Sequence, residues 1–257
     1  MIGNTYLTRI LNANHIWLLL DYDGTLADFA PTPDIILPDK TLIDLVDKLA
    51  QNPKLTVAII SGRRLSHIEK LLPIEEIWLA GSYGLEIRSP SDEMIFREDL
   101  HRIRPVLDCI KPVWTKLIES KDGFYLEDKE WSLALHARFA QKDDASAILE
   151  KAGYLAQQFV KEETFTLLGG HKFLEIAPKK ADKGLTVKFL LDNYAENQSL
   201  PIFFGDDDKD EKAFPVVKAH GGLTGCVTTL ARKTNADFTL DSPLETRKWL
   251  QNLLNTN

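Results

Sequence analysis

Asp21 and Asp23 stand two residues apart directly after the apolar run 16–20, in "IWLLLDYDGT". Two carboxylates at the mouth of one buried segment repel each other unless a cation separates them. Three further stretches place polar groups in a similar way. "AIISGRR" sets Ser61 behind a second apolar run, and "ADKG" sets Lys183 at the start of a helical stretch. "IFFGDDDKDE" sets Asp206, Asp207, Asp208, Asp210 and Glu211 behind a third apolar run. Singly, these read as a turn, a helix cap, a solvated lysine and a solvated charge run. All four in this order, three of them at the ends of apolar runs, point to phosphoryl transfer.

A phosphate monoester is a dianion, and a carboxylate nucleophile must approach it against that charge. A hard divalent cation on oxygen ligands removes the repulsion, and Mg²⁺ favours one or two carboxylates with substrate oxygens and water. Asp21 and Asp206 can supply those carboxylates, with the backbone carbonyl of Asp23 as a third ligand. Lys183 adds a fixed positive charge, and the Ser61 hydroxyl can donate to a phosphate oxygen. Asp23 can protonate the leaving alkoxide and then activate water against the acyl-phosphate. Gly24 lets the turn pass close to the phosphate.

The elements that must hold these groups follow from periodicity. Strands are expected over 16–20, 55–60, 77–80 and 201–205. Helices are expected over 42–50 with Asp39 as cap, after "SGRR" through Leu72, over 184–194 and over 243–254. Strands of continuous apolar character alternating with helices imply a parallel sheet covered on both faces, where ligands gather at the carboxyl ends of the strands. The middle of the chain differs. In "FYLEDKEWSLALHARF", Trp131, Leu133, Leu135, Ala137 and Phe139 alternate with Ser132, Ala134, His136 and Arg138. That period of two describes an antiparallel sheet with one covered face, and helices over 106–119 and 144–160 would cover it. The expected fold is α/β: a Rossmann-like, doubly wound parallel core (1–104 and 179–257) with an inserted α/β cap (105–178). Linkers near Arg104 and Pro178 would let the cap close over a substrate.

Composition narrows the functions. The 257 residues suffice for a large core, 44% are hydrophobic, and the net charge of −7 argues against a nucleic-acid partner. Cys109 and Cys226 fit no metal-ligand spacing and read as free thiols of a reducing compartment. No basic segment leading into a long apolar stretch opens the sequence, and no apolar run approaches the roughly 20 residues of a membrane helix. A cytoplasmic protein without membrane partner is expected, and with no heptad run, a monomer. No G-x-x-x-x-G-K-[ST] occurs, which sets aside a P-loop nucleotide enzyme.

"LLDYDGTLA", "IISGR", Lys183 of "ADKG" and "GDDDKDE" resemble, in order, the four motifs of the haloacid-dehalogenase-like phosphohydrolases. Within them, "GSYGLEIR" (81–88), "LEDKEWSLALHARF" (126–139) and "GGHKFLEIAPKKADKG" (169–184) resemble the trehalose-6-phosphate phosphatases. The resemblance implies Asp21 as nucleophile, Asp23 as general acid/base, and Mg²⁺ completed by Asp206 with Asp207 and Asp210 nearby. It implies that Glu127, Lys129 and Glu175 hold sugar hydroxyls. Gly24, Thr25 and Arg63 within the motifs, and His136 and Arg138 on the cap face, join the expected substrate contacts. Lys209 stands where the family usually has Thr, Tyr83 where His is frequent, and Lys180 where Gly is frequent. The implied substrate is trehalose 6-phosphate. Alternatives are another glycoside phosphate (sucrose 6-phosphate, or a glucosyl- or mannosyl-glycerate or -glycerol phosphate), a sugar phosphomutase, or a sugar-phosphate-binding module without turnover.

Overall fold

The computed structural model describes residues 4–28, 37–160, 163–170, 172–230 and 232–256. Its elements follow the order α1 (Asn4–Leu11), β1 (Ile16–Leu20), α2 (Lys40–Ala50), β2 (Leu55–Ile60), α3 (Leu65–Leu71), β3 (Trp78–Gly81), β4 (Glu86–Arg88) and β5 (Met94–Phe96). Next come α4 (Leu100–Ile118), β6 (Tyr125–Asp128), β7 (Leu133–His136), α5 (Lys142–Gln157), β8 (Phe165–Gly170) and β9 (Phe173–Pro178). The chain closes with α6 (Lys183–Tyr194), β10 (Leu200–Gly205), α7 (Ala213–Ala219), β11 (Leu223–Val227), β12 (Phe238–Leu240) and α8 (Pro243–Thr256). It divides into two units, Met1–Ile95 with Asp182–Asn257, and Phe96–Ala181.

Every residue of β1 is buried because the sheet is covered on both faces. Ile16, Leu18 and Leu20 pack among Leu42 and Val46 of α2, Ile68 of α3, and Leu250 and Leu253 of α8. Trp17 and Leu19 face the other way, among Val187 and Leu190 of α6 and Phe214 and Val217 of α7. A strand between two helical layers has no solvent face, so alternation is lost and the run reads as continuously apolar. The sheet order is β12-β11-β10-β1-β2-β3-β4-β5. β1 is parallel to both β10 and β2, and the β3–β4 pair is antiparallel. Asp39 caps α2 as expected, accepting from the amides of Thr41 (2.9 Å) and Leu42 (3.3 Å).

The second unit is an antiparallel sheet of order β6-β7-β9-β8, against which α4 and α5 pack. Three expectations for this region change. The boundary anticipated at 104–105 falls inside α4, which starts after its cap Asp99 and continues through Pro105 and Pro112. Each interior proline forfeits a backbone hydrogen bond, at about 3 kcal/mol. Burial of Ile103, Leu107, Ile110 and Trp114 works against that cost. Arg104 therefore lies on a helix rather than a linker, paired with Asp128 at 2.7 Å. Pro178 is likewise the last residue of β9 and not a connector. Finally, the stretch 124–139 is two strands, turning at 129–132 with Glu130 at φ 70°. β7 ends at His136, which leaves Phe139 exposed instead of on the apolar face.

Candidate active site

β10, β1 and β2 are neighbours, and each ends immediately before a polar residue: Asp206, Asp21 and Ser61. Strands lie about 4.8 Å apart, so three chain segments distant in sequence deliver their side chains to one line. The Asp21 amide donates to the Phe204 carbonyl at 3.0 Å, extending the β1–β10 ladder into the site. The chain then turns through Gly24 at φ 81°, a conformation that favours glycine.

Lys183 is the first residue of α6, capped by Asp182, which accepts from the Leu185 amide at 3.0 Å. Its ammonium contacts Asp21 Oδ1 and Asp210 Oδ1, each at 2.6 Å, and all three side chains are buried. Asp210 is held from below as well. Its Oδ2 accepts from the amides of Asp206 (3.0 Å) and Asp207 (3.1 Å), tying the loop after β10 to Lys183. Gly205 makes the room: a Cβ there would sit 2.3 Å from Asp210 Cγ. The Thr25 hydroxyl lies 3.3 Å from both Asp21 Oδ2 and Asp206 Oδ1, so its single proton can be donated to either carboxylate.

Burial dominates the electrostatics. It pushes the Asp21 carboxyl up to about 8 against the pull of Lys183, and Asp206 up to about 7 with help from Asp210 and Asp207. It also holds Asp210 well above the carboxylate range, although Lys183 pulls the other way. Burial opposes ionisation of Asp207 too, but Lys183 and Lys209 outweigh it and keep that carboxyl low. Burial works against the Lys183 ammonium, yet Asp21 and Asp210 prevail and hold it well above its usual value. One carboxylate oxygen from each of Asp21, Asp206 and Asp210 lies within 4.8 Å of the others. Buried, mutually repelling hard-oxygen donors are a fitting donor set for a hard divalent cation.

The other expected residues separate into groups. Ser61 is fully buried, and its Oγ accepts from the Arg63 amide at 3.1 Å. Arg63, expected to touch substrate, directs Nε and Nη2 at the two carboxylate oxygens of Asp23, each at 2.7 Å. In the second unit, cross-strand register sets Glu127 and Glu175 on either side of Ala134, on one face of the sheet. Glu175 is fully buried and takes Lys129 Nζ at 3.3 Å and Ser132 Oγ at 2.5 Å. His136 Nε2 meets Glu127 Oε2 at 2.9 Å, and its ring stacks on Tyr125 with centroids 4.3 Å apart. Lys129 lies past the end of β6, and Arg138 is exposed past the end of β7.

A second contact, besides that of Arg63 with Asp23, escaped the sequence reading. Tyr83 and Lys209, noted only as departures from a family pattern, meet each other: Lys209 Nζ donates to the Tyr83 hydroxyl at 2.6 Å and lies 4.7 Å from its ring centroid. Tyr83 also donates its amide to the Ser61 carbonyl and packs against Gly62. The signal was faint: "GSYG" places Ser82 and Tyr83 at φ 51° and 57°, backbone that residues with a Cβ adopt only when their surroundings enforce it.

The family model described as trehalose-phosphatase matches residues 19–244. The chain is 29% identical to trehalose 6-phosphate phosphatase RA3 of Zea mays over 257 residues, covering 93% of this chain and 70% of that protein. It is 30% identical to trehalose-phosphate phosphatase B of Arabidopsis thaliana over 263 residues, covering 96% and 69%. Among solved structures, the C-terminal domain of the C. albicans trehalose-6-phosphate phosphatase matches with a TM-score of 0.85 at 23% identity, covering 98% of this chain and 97% of that one.

Proposed function

The chain belongs to the trehalose-phosphatase family of haloacid-dehalogenase-like phosphohydrolases, and on that premise we propose that it hydrolyses trehalose 6-phosphate to trehalose and phosphate. The observation that carries this reading is the Lys183 ammonium, bound at 2.6 Å to both Asp21 and Asp210 at the mouth of β1. Lys183 fixes Asp21 through Oδ1 and places a buried positive charge where a phosphoryl group would arrive. Asp21 attacks phosphorus and the sugar leaves, with Asp23 giving its proton to the departing oxygen. Asp23 then takes a proton from the water that cleaves the aspartyl-phosphate, which restores both carboxyls. Ser61, at the end of the neighbouring strand, donates to a phosphoryl oxygen.

Asp21, Asp206 and the Asp23 carbonyl would hold Mg²⁺, with Asp207 and Asp210 supporting the loop behind them. When bound, Mg²⁺ offsets the negative charge of the phosphate. Asp210 serves as an anchor, since its oxygens already take Lys183 and two backbone amides. We assign the sugar to the polar face of the unit 96–181, where Glu127, Lys129 and Glu175 supply hydrogen-bonding groups and His136 and Arg138 flank them. A cytoplasmic location and a monomeric state complete the reading; both cysteines are free, and among the described residues no helix is long and apolar enough to cross a membrane.

The test is phosphate release with Mg²⁺ from trehalose 6-phosphate, sucrose 6-phosphate, glucosylglycerol and glucosylglycerate phosphates, and glucose 6-phosphate. The expected preference for trehalose 6-phosphate is about 100-fold or more in kcat/KM, about 2.7 kcal/mol of transition-state discrimination. Strong preference for another member of the panel would refute the substrate and keep the chemistry. Turnover by Asp21→Asn close to that of the unmodified chain would refute the mechanism.

A further inference from the structure

Asp23 carries the proton in the reading above, yet an aspartate carboxyl turns freely about its last torsion, whose energy profile is broad. A group that must deliver a proton along one direction needs that rotation fixed. Arg63 supplies the restraint. Its Nε reaches Asp23 Oδ2 and its Nη2 reaches Oδ1, both at 2.7 Å, in the two-pronged geometry that sets the plane of a carboxylate as well as its position. The guanidinium is itself immobilised. The side chain is only 8% exposed, Nη1 lies 3.3 Å from His67 Nδ1 on α3, the Arg63 amide donates to Ser61 Oγ, and the Arg63 carbonyl takes the Ser82 amide at 2.6 Å. The Asp23 side chain keeps 24% exposure, so it is reachable while held.

We propose that Arg63 is the positioning residue for Asp23: its two-pronged bond sets the plane of the acid/base carboxyl, and Arg63 does not itself bind the phosphate. This rests on the assignment of Asp23 as acid/base. Each carboxylate oxygen has a second lone pair beyond the one facing Arg63. The proton given to the leaving sugar oxygen, and later taken back from water, travels on such a lone pair. Lysine at position 63 would offer a point charge without the fork and would leave the carboxyl plane free.

The experiment compares kcat/KM, which reports the step that expels the leaving group, for trehalose 6-phosphate and p-nitrophenyl phosphate. A sugar alkoxide needs a proton to depart and p-nitrophenolate does not. Asp23→Asn is expected to lose about 10²–10⁴-fold on the sugar phosphate, the range of general acid catalysis, and far less on the aryl phosphate. Arg63→Met and Arg63→Lys are expected to show the same asymmetry, each losing about tenfold or more on the sugar phosphate relative to the aryl phosphate. Adding Arg63→Met to Asp23→Asn is expected to cost little more, because the residue being positioned is already gone. Equal losses on both substrates through raised KM, multiplying with the Asp23→Asn loss, would overturn the proposal in favour of phosphate binding. If Asp23→Asn itself lacks the asymmetry, the acid/base reading fails; if Asp23→Asn has it and the Arg63 variants lack it, only the positioning role fails. Should Arg63→Met not fold, Arg63→Lys, which retains the charge, carries the same comparison alone and within the double variant.

Discussion

Asp210 offers the sharpest test of how the site is built, because its three hydrogen bonds make separate demands on one side chain. Oδ1 takes the Lys183 ammonium at 2.6 Å, and Oδ2 takes the amides of Asp206 and Asp207 at 3.0 and 3.1 Å. Asp210→Asn keeps the shape and supplies only one acceptor. If the amide oxygen keeps the two backbone donors, its NH₂ faces the Lys183 ammonium, donor against donor. The loss is one charge-assisted bond plus that buried mismatch, about 2–4 kcal/mol. The side chain already packs closely over Gly205, where an added Cβ would sit 2.3 Å from Asp210 Cγ. Lys183 and the 206–207 backbone shift together, so kcat should fall about tenfold or more, since a 1.4 kcal/mol rise in barrier is already tenfold. Urea unfolding gives the stability, and phosphate release across a Mg²⁺ titration gives the kinetics. The anchor role requires kcat to stay low even at saturating Mg²⁺, whatever the half-saturating concentration becomes as the Asp206 backbone shifts. Recovery of full kcat at high Mg²⁺, with stability within about 0.5 kcal/mol of the parent, would make Asp210 a ligand and refute the reasoning.

Two further outcomes follow from the titrating groups. Cation binding must strip protons from Asp21 and Asp206, which burial pushes up to about 8 and about 7, so Mg²⁺ affinity should rise as the pH rises through that interval; isothermal titration calorimetry at several pH values checks it. The bond from Arg104, reinforced by Lys111, holds Asp128 well below the ordinary carboxylate range, so its contribution to stability is complete above the unfolded-state pKa and is lost as pH falls through the depressed one. Asp128→Asn should therefore cost about 1–2 kcal/mol near neutrality, after solvent screening, with the deficit shrinking in acid, as read by thermal melts of both proteins.

The parts of this fold that were legible in sequence are those whose cause is local. β1, β2 and β10 announce themselves because burial on both faces leaves Thr56 of β2 as their one polar side chain before the strand ends, and that end is where Asp21, Ser61 and Asp206 stand. The Asp39 cap is legible because it bonds amides two and three residues ahead. β4, β5 and β12 have three residues each, too few for any period to emerge. Pro105 suggested a boundary that tertiary burial of Trp114 and its neighbours overrides. The Arg63–Asp23 bond was illegible for another reason: its partners lie 40 residues apart, and the arginine of "SGRR" gives no sign of which carboxylate it will meet. The Lys209–Tyr83 contact spans 126 residues and joins two positions that looked like unrelated departures.

Charge balance explains why so acidic a run as 206–211 is not a solvated face. Of its carboxylates, Asp208 is fully exposed, whereas Asp210 is fully buried and Glu211 is paired with Arg232 at 3.0 Å. Asp21, Asp206, Asp207 and Asp210 thus bring four carboxyls to one pocket, within reach of two ammoniums, Lys183 and Lys209. Asp23 stands outside this group, its carboxyl held by the Arg63 guanidinium. Fully ionised, the four carboxylates leave two negative charges, the complement of one divalent cation. Burial pushes three of these carboxyls above the carboxylate range, Asp21 up to about 8, Asp206 up to about 7, and Asp210 well above it, and Asp207 alone is kept low by the nearby ammoniums. Lys209 has its own part in this balance. An uncharged residue there would leave Asp207 with Lys183 alone, which Asp21 and Asp210 already share. By tying Lys209 to Tyr83, the chain fixes a second cation within the loop that follows β10, so the placement of that charge depends on a side chain 126 residues away.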